Sequence, residues 1–255
     1  MLGYVVLYLF VFAFGIIIGS FLNVCIYRLP KEESLITGAS HCMACGKKIK
    51  KYDLIPVFSY IILKGKCRGC GEKISIRYPI VELINGLLWL LVFFTYDFSF
   101  KAITISLLFS ALVVVFFMDW DTQLISTPVV IFIGALSVPY YFLDSGVSPL
   151  MHILGAFVVS LPLLAIELLS KGRAMGRGDV YLMAAAGLFL GAKLIAVAFF
   201  FGLLSGSVAG LIIKYKTKSS KFAFGPFLSL GIAASLLYGD KIVNAYLSFL
   251  GVVPR

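Results

Sequence analysis

The chain has 255 residues, of which 61% are hydrophobic and only 13% are charged, and its mean hydropathy is +1.03. A water-soluble domain of this length cannot cover so much apolar surface, so the composition excludes a soluble globular protein and makes the lipid bilayer the expected solvent. The net charge of +10 comes from 22 basic residues that lie between apolar runs without any nucleic-acid-binding motif, so we expect no nucleic acid partner.

Long apolar runs follow one another along the chain and predict an all-α membrane protein with about eight transmembrane helices. The first run lacks the basic start of a signal peptide and is expected to remain in the membrane. The stretch between 180 and 213 is too long for one helix, and Gly191 and Lys193 mark the expected break. A last stretch, 243–253, is too short to span. The eight runs cover residues 4–26, 80–96, 102–118, 128–143, 150–170, 180–192, 194–213 and 222–239.

Residues 27–78 interrupt the apolar pattern and are predicted to form a small inserted domain. The segment contains 11 of the 22 basic residues and four of the five cysteines. Residues 1–26 then form the first transmembrane helix, and residues 79–255 form a transmembrane core. If the insert is cytosolic, the loops on that side carry 18 basic residues and the opposite loops carry 4. The positive-inside rule therefore predicts an outside N-terminus and a cytosolic insert.

Two CxxC pairs lie in the insert, Cys42 with Cys45 and Cys67 with Cys70. Thiolates are soft ligands, and two pairs at this spacing predict one tetrahedral zinc site with four cysteine ligands. Two disulfides or four unrelated thiols are the alternatives, and a reducing cytosol disfavours the disulfides. Four protein ligands leave no open coordination position, so the zinc is expected to be structural. Cys25, in the first helix, is interpreted as a small buried apolar residue.

Carboxylates inside apolar runs need an explanation, because burying a charge in a membrane span is costly. Asp119 and Asp121 end the third helix and Asp179 opens the sixth, so the predicted topology brings them to the same membrane edge. Two close carboxyls cannot both ionise, and one can then activate water as in an aspartyl protease. Glu82 and Glu167 are interpreted as structural, the latter pairing with Lys171 at i+4.

These residues together resemble the bacterial type IV prepilin peptidases, bifunctional leader peptidase/N-methyltransferases of the GxGD aspartyl protease kind. The resemblance covers nearly the whole chain. In this family's register Asp119 is the first catalytic aspartate, ahead of Asp121, and Asp179 is the second. Two positions depart from the family pattern: Ser126 replaces a proline and Tyr181 replaces a lysine. The resemblance is carried by 19–24, 27–30, the two cysteine pairs, 53–60, 77–82, 176–179 and 224–228.

The resemblance implies a concrete function in the bacterial cytoplasmic membrane. The substrates would be prepilins or pseudopilins whose short basic leader is removed before the mature hydrophobic helix. The same enzyme would methylate the new N-terminus with S-adenosylmethionine as donor. Among the motifs of the sequence there is no glycine-rich loop that identifies the donor site.

Other interpretations of the same sequence remain open. The chain could be a GxGD membrane peptidase without methyltransferase activity, although the intact cysteine insert speaks against this. It could be a proton-coupled transporter, whose expected broken helices in corresponding repeats are not apparent. It could also be a zinc-anchored scaffold without chemistry, which substitution of Asp179 would distinguish.

Overall fold

The computed structural model describes residues 2–143, 146, 148–173, 175–217 and 222–251. Over these residues the chain is helical and has no strand, apart from two isolated bridges in the insert. The predicted all-α membrane architecture is confirmed. Three residues that enter the charge count, Lys218, Lys221 and Arg255, lie outside the described residues.

Nine α-helices are found in the described part of the chain, together with short 3-10 turns at Leu29–Lys31 and Lys51–Leu54. The helices are α1 (Leu2–Arg28), α2 (Phe58–Ile62), α3 (Arg77–Tyr96), α4 (Phe100–Thr122), α5 (Thr127–Leu143), α6 (Pro149–Val158), α7 (Ser160–Ser170), α8 (Arg177–Thr217) and α9 (Gly225–Phe249).

The eight predicted apolar runs each lie within or overlap one of these helices. Among the described residues, six helical stretches are long and apolar enough to cross a membrane: α1, α3, α4, α6 with α7, α8 and α9. Helix α5 is shorter, with 17 residues. The predicted break near Gly191 is confirmed, because this residue has non-helical angles (φ 76°, ψ 169°) inside α8.

Two predicted boundaries differ from the structure. Helix α9 does not end near 239 but continues to Phe249, so a separate stretch beginning at 243 was wrong. The charged residues in its path, Asp240 and Lys241, are exposed, and Asp240 accepts a hydrogen bond from Lys193 Nζ at 2.7 Å. The run 150–170 is divided at Val159, and Pro162 explains this: it has no N–H to donate to the carbonyl four residues earlier.

The chain divides into two compact units, Met1–Val114 and Val115–Arg255. In the first unit α1 packs along α3 through glycines: a Cβ built on Gly15 would lie 2.9 Å from Gly86 Cα. Asn85 Nδ2 donates to the Gly15 carbonyl at 2.7 Å, and its Oδ1 accepts from Ser110 Oγ at 2.8 Å. Trp89 Nε1 in turn donates to Ser110. These three buried polar side chains are thus satisfied between helices, which favours helix association in a membrane.

In the second unit α8 is the central helix and packs against α5, α6, α7 and α9. Its two arms approach their neighbours at small residues. Gly187 lies against the backbone of Gly155 on α6, and Gly231 on α9 lies against the backbone of Ala198. Such contacts let membrane helices pack closely by van der Waals attraction. The resulting bundle holds the N-terminal ends of α8 and α9 beside the C-terminal end of α4.

Candidate active site and metal centre

Asp119 lies in the last turn of α4 and is only 5% exposed. Its Oδ2 accepts a hydrogen bond from the backbone N–H of Gly225 at 2.8 Å. Gly225 is the first residue of α9, and the free N–H groups at a helix start favour an acceptor or a negative charge. Pro226 follows at a position where a proline is well tolerated. Asp119 therefore caps a helix that begins 106 residues later in the chain.

Asp179 lies in the first turn of α8 and is 8% exposed. Its own N–H donates to the Gly176 carbonyl at 3.2 Å. Gly176 and Gly178 leave the backbone of this turn without side chains. The GxGD segment therefore presents a buried carboxyl at a helix start, next to an exposed glycine at Gly176.

The two aspartates belong to one region of the second unit. Ile125, six residues after Asp119, packs directly on Gly178: a Cβ built there would lie 2.9 Å from Ile125 Cβ. The charge of Asp119 also acts electrostatically on Asp179. Neither carboxyl forms an ion pair with a lysine or arginine within the described ranges. The arrangement is two buried, mutually repelling carboxyls on two helices, which is the electrostatic setting for a shared proton.

Asp121 is placed differently. It lies two residues beyond Asp119, about 200° around the helix axis, and it is exposed. Asp119, by contrast, is buried and held by a backbone donor. The geometry thus favours Asp119 over Asp121 as the partner of Asp179.

The predicted ion pair between Glu167 and Lys171 is wrong, because Glu167 has a different partner. Lys171 has a left-handed conformation (φ 53°) that ends α7, so it is not at the helical i+4 position. Glu167 instead pairs with Arg177, whose Nε lies 3.0 Å from Glu167 Oε1. Arg177 lies between Gly176 and Gly178, so this ion pair attaches the GxGD turn to α7. Glu167 itself is buried.

The four predicted zinc ligands come together in the insert. The sulfur atoms of Cys42, Cys45, Cys67 and Cys70 all lie within 4.8 Å of one another, and Cys42 Sγ is 3.8 Å from Cys70 Sγ. A tetrahedron with metal–sulfur bonds of about 2.3 Å has sulfur–sulfur separations of about 3.8 Å. The four thiols therefore fit one zinc ion, and they fit it without a fifth ligand.

Each cysteine pair lies in its own backbone turn, and the two turns have the same hydrogen-bond pattern. The N–H of Cys42 donates to the carbonyl of Lys47 and the N–H of Gly46 donates to the carbonyl of Cys42. The equivalent bonds recur 25 residues later, from Cys67 to Glu72 and from Gly71 to Cys67. Each turn ends on a glycine with positive φ, 69° and 74°.

These turns also prepare the ligands for metal. Hydrogen bonds from the backbone N–H groups of Cys45 and Ala44 lower the pKa of Cys42 to about 6. This lowering favours the thiolate of Cys42, which is the form that binds zinc.

Two contributors to the aspartate site were not identified as such from the sequence. Gly225 lies in the 224–228 motif that carries part of the family resemblance, but the motif gives no indication that its N–H binds Asp119. Ile125 precedes Ser126, one of the two departures from the family pattern, and in the structure it forms the packing contact with Gly178. Both contacts join residues far apart in sequence, so no local periodicity predicts them.

Comparison with known proteins supports the same family along both units. The family model described as "Bacterial Peptidase A24 N-terminal domain" matches residues 13–96, and the model described as "Type IV leader peptidase family" matches residues 106–211. No solved structure matches the chain.

Curated relatives named prepilin leader peptidase/N-methyltransferase match over most of their length. The Bacillus subtilis strain 168 protein is 32% identical over 92% of this chain and 96% of its own. The Neisseria gonorrhoeae protein is 36% identical over 85% of each chain, and the Aeromonas salmonicida protein is 32% identical over 93% of each. The chain therefore belongs to the type IV leader peptidase family.

Proposed function

We propose that Asp119 and Asp179 form a catalytic dyad that cleaves the leader peptide from type IV prepilins and pseudopilins. The observation that carries this proposal is that two buried carboxyls lie in one region of the second unit, joined by the packing of Ile125 on Gly178, without a basic partner in the described residues. A buried charge is costly in a membrane protein, and intramembrane acids mark functional sites by default. Two mutually repelling carboxyls are the arrangement that peptide hydrolysis by aspartates uses.

The dyad accounts for hydrolysis as follows. One carboxylate accepts a proton from water while the water oxygen attacks the scissile carbonyl carbon. The other carboxyl donates its proton to the carbonyl oxygen, and the carbon–nitrogen bond then breaks with a proton passing to the leaving amine. The N–H of Gly225 stabilises the ionised form of Asp119. Asp119 is therefore the better candidate for the carboxylate that activates water, with Asp179 as the acid.

Membership of the family indicates the substrate, a prepilin, and a second activity, N-methylation. Relatives over nearly the full chain length are named prepilin leader peptidase/N-methyltransferase. Cleavage of prepilin leaders and N-methylation of the new N-terminus are accordingly the activities of this chain. S-adenosylmethionine is the methyl donor that we propose, since a methyltransferase name implies an activated methyl group.

We also propose one structural zinc in the four-cysteine cluster. The four sulfurs fit a tetrahedral site, and four protein ligands leave no position for a substrate. The insert has few buried apolar residues, so the metal would supply much of its folding free energy. Residues 27–78 then act as a zinc domain, and residues 79–255 as the peptidase core.

The proposed orientation has the N-terminus outside and the insert in the cytosol of a bacterial cell. The charge pattern of 18 against 4 basic residues supports it. In this orientation the C-terminal end of α4 and the N-terminal ends of α8 and α9 face the cytosol. Leaders of prepilins would meet the dyad where their basic segment joins the membrane helix.

Intact-mass measurement of a prepilin incubated with the purified chain tests the proposed function. The account expects loss of the leader mass, followed by the gain of one methyl group when S-adenosylmethionine is present. Cleavage without methylation would support a peptidase of the same kind that lacks the second activity. A chain that binds a prepilin but never cuts it would contradict the dyad.

A further inference from the structure

The insert leaves one apolar face of the short helix α2 uncovered. Phe58, Ile61 and Ile62 are 65%, 65% and 72% exposed. They occupy positions i, i+3 and i+4, which share one face of a helix. A soluble domain rarely exposes large apolar side chains side by side, and such a patch marks a surface that contacts a protein or a membrane.

The other face of α2 packs on the insert itself. Ser59, Tyr60 and Leu63 are half-buried and belong to the inner wall of the first unit, which is closed by the ends of α1 and α3 and by the two cysteine turns. The orientation of α2 is therefore fixed by its own domain. The apolar face that remains uncovered is directed away from the insert.

A hydrogen bond to α3 places α2 at the edge of the membrane. The N–H of Val57, which precedes α2, donates to Glu82 Oε2 at 2.8 Å. Glu82 lies five residues, or about 7.5 Å, beyond the start of α3, and helical side chains lean back toward the start of their helix. The 20 residues of α3 extend about 30 Å, which is the thickness of the hydrocarbon core. The start of α2 is thus held near the level at which α3 enters the membrane.

The end of α1 lies at the same level. Asn23, in the last turns of α1, donates from Nδ2 to the carbonyl of Tyr78 at 3.1 Å, in the first turn of α3. Arg28 ends α1, and its guanidinium group donates to the carbonyl groups of Ser34 and Gly38 just beyond. Both ends of the insert are therefore attached at one membrane level, close to the surface of the bilayer.

Exposed lysines flank the apolar face in sequence. Lys51 precedes α2, and Lys64 and Lys66 follow it. All three are exposed, and none of them forms an ion pair within the described ranges of the chain. Apolar side chains between basic residues are typical of segments that lie in the membrane interface, where the positive charges meet lipid phosphates.

We propose that α2 is an interfacial membrane anchor of the insert. Its apolar face lies among the acyl chains of the leaflet on the side of the insert, and the flanking lysines lie at the level of the lipid phosphates. The depth of α2 beside the start of α3 favours lipid over a protein partner as the occupant of this face. The anchor goes beyond the proposed function and does not depend on the dyad. It would keep the zinc domain on the membrane surface, where the leader of a prepilin joins its apolar helix.

Spin labelling of the full-length, zinc-loaded chain in phospholipid vesicles tests the anchor. A nitroxide on Ile62→Cys should collide more often with oxygen, which concentrates among acyl chains, than with a water-soluble nickel chelate. Lys48→Cys, at an exposed lysine of the first cysteine turn, is the control and should show the reverse preference. We expect the ratio of the two collision rates to differ between these sites by about threefold or more. The parent chain provides the background from the native cysteines.

Two results of this experiment would overturn the anchor. A ratio at Ile62→Cys equal to that at Lys48→Cys would show that the apolar face is in water. Low collision rates with both probes would show that a protein surface covers α2 instead of lipid. The labelled variant is accepted as folded when its zinc content equals that of the parent.

Photo-crosslinking of the parent chain gives a second measurement that needs no variant. The probe is a phosphatidylcholine with a diazirine in its acyl chain, and trypsin cleavage after Lys51 and Lys64 releases α2 in the peptide 52–64. Label in this peptide, with label in α3 as the reference for lipid contact, supports the anchor. Labelled α3 beside an unlabelled 52–64 peptide would overturn it. Neither outcome depends on cleavage or methylation, so the anchor and the proposed function fail separately.

Discussion

The backbone N–H of Gly225, the first residue of α9, donates a hydrogen bond of 2.8 Å to Oδ2 of Asp119 at the end of α4. A Cβ at Gly225 would approach Asp119 Oδ2 to 2.8 Å and its Cγ to 3.0 Å, closer than real Cβ atoms allow. The glycine is thus required by the aspartate that it binds.

Gly225→Ala should therefore displace the Asp119 carboxyl. Because misplacing a catalytic group by about 1 Å can cost about 100-fold, we expect prepilin cleavage to fall by about 10- to 100-fold. The measurement is the initial rate of leader removal by the purified variant. Gly134→Ala is the matched control, since its Cβ would meet Ala185 Cβ at an ordinary 3.9 Å. A Gly225→Ala enzyme as fast as the control would contradict the role of this contact.

Arg177 is expected to position Asp179 without touching substrate. Arg177→Ala should loosen the turn before Asp179 and lower kcat by about tenfold, with little change in KM. Arg177→Lys should restore part of the loss, because it keeps a positive charge near Glu167. Arg173→Ala, an exposed arginine before the turn, is the control. A loss confined to KM would indicate that Arg177 binds the substrate instead.

Metal analysis of the purified chain should find about one zinc per molecule. Cys67→Ser/Cys70→Ser should lose the metal and leave residues 27–78 sensitive to proteolysis, because the insert depends on the site for folding. Cys25→Ser should retain the zinc, since that cysteine is buried in α1 away from the cluster. Full zinc occupancy in the double variant would rule out the four-thiolate site.

Cysteine labelling in intact cells tests the orientation. A membrane-impermeant maleimide should react with Ser148→Cys, at the start of α6, and should not react with Glu33→Cys in the insert until the cells are permeabilised. The parent chain provides the background from the native cysteines. The opposite pattern would place the insert outside and overturn the charge argument.

The sequence predicted much of this organisation because membrane helices leave a strong local signal. Apolar runs located the helices, and Gly191 was recognised as a break because a glycine and a charged residue interrupt a run too long for one helix. The continuation of α9 past Gly239 was missed because Asp240 and Lys241 interrupt the apolar run, whereas a helix continues through charged residues that are exposed. We predicted that Glu167 pairs with Lys171 because the two residues are four positions apart. Spacing alone does not show that Lys171 ends the helix in a left-handed conformation.

The aspartates illustrate the same limit. Topology alone brought Asp119 and Asp179 to one membrane edge. The sequence does not show which of Asp119 and Asp121 faces the bundle. In the structure Asp119 is buried and Asp121 is exposed. The contact of Asp119 with Gly225 joins residues 106 positions apart and has no local signature in either segment.

Prepilin cleavage by the single asparagine variants tests the dyad most directly. Asp119→Asn and Asp179→Asn should each lower the rate by about 10²- to 10⁴-fold, because either the base or the acid is lost. Zinc content and expression should remain normal, since neither residue is a metal ligand. Asp121→Asn, on the exposed side of the same turn, should keep its rate within about threefold of the parent. Normal cleavage by Asp179→Asn would contradict the account, and a dead Asp121→Asn beside an active Asp119→Asn would contradict the choice of Asp119.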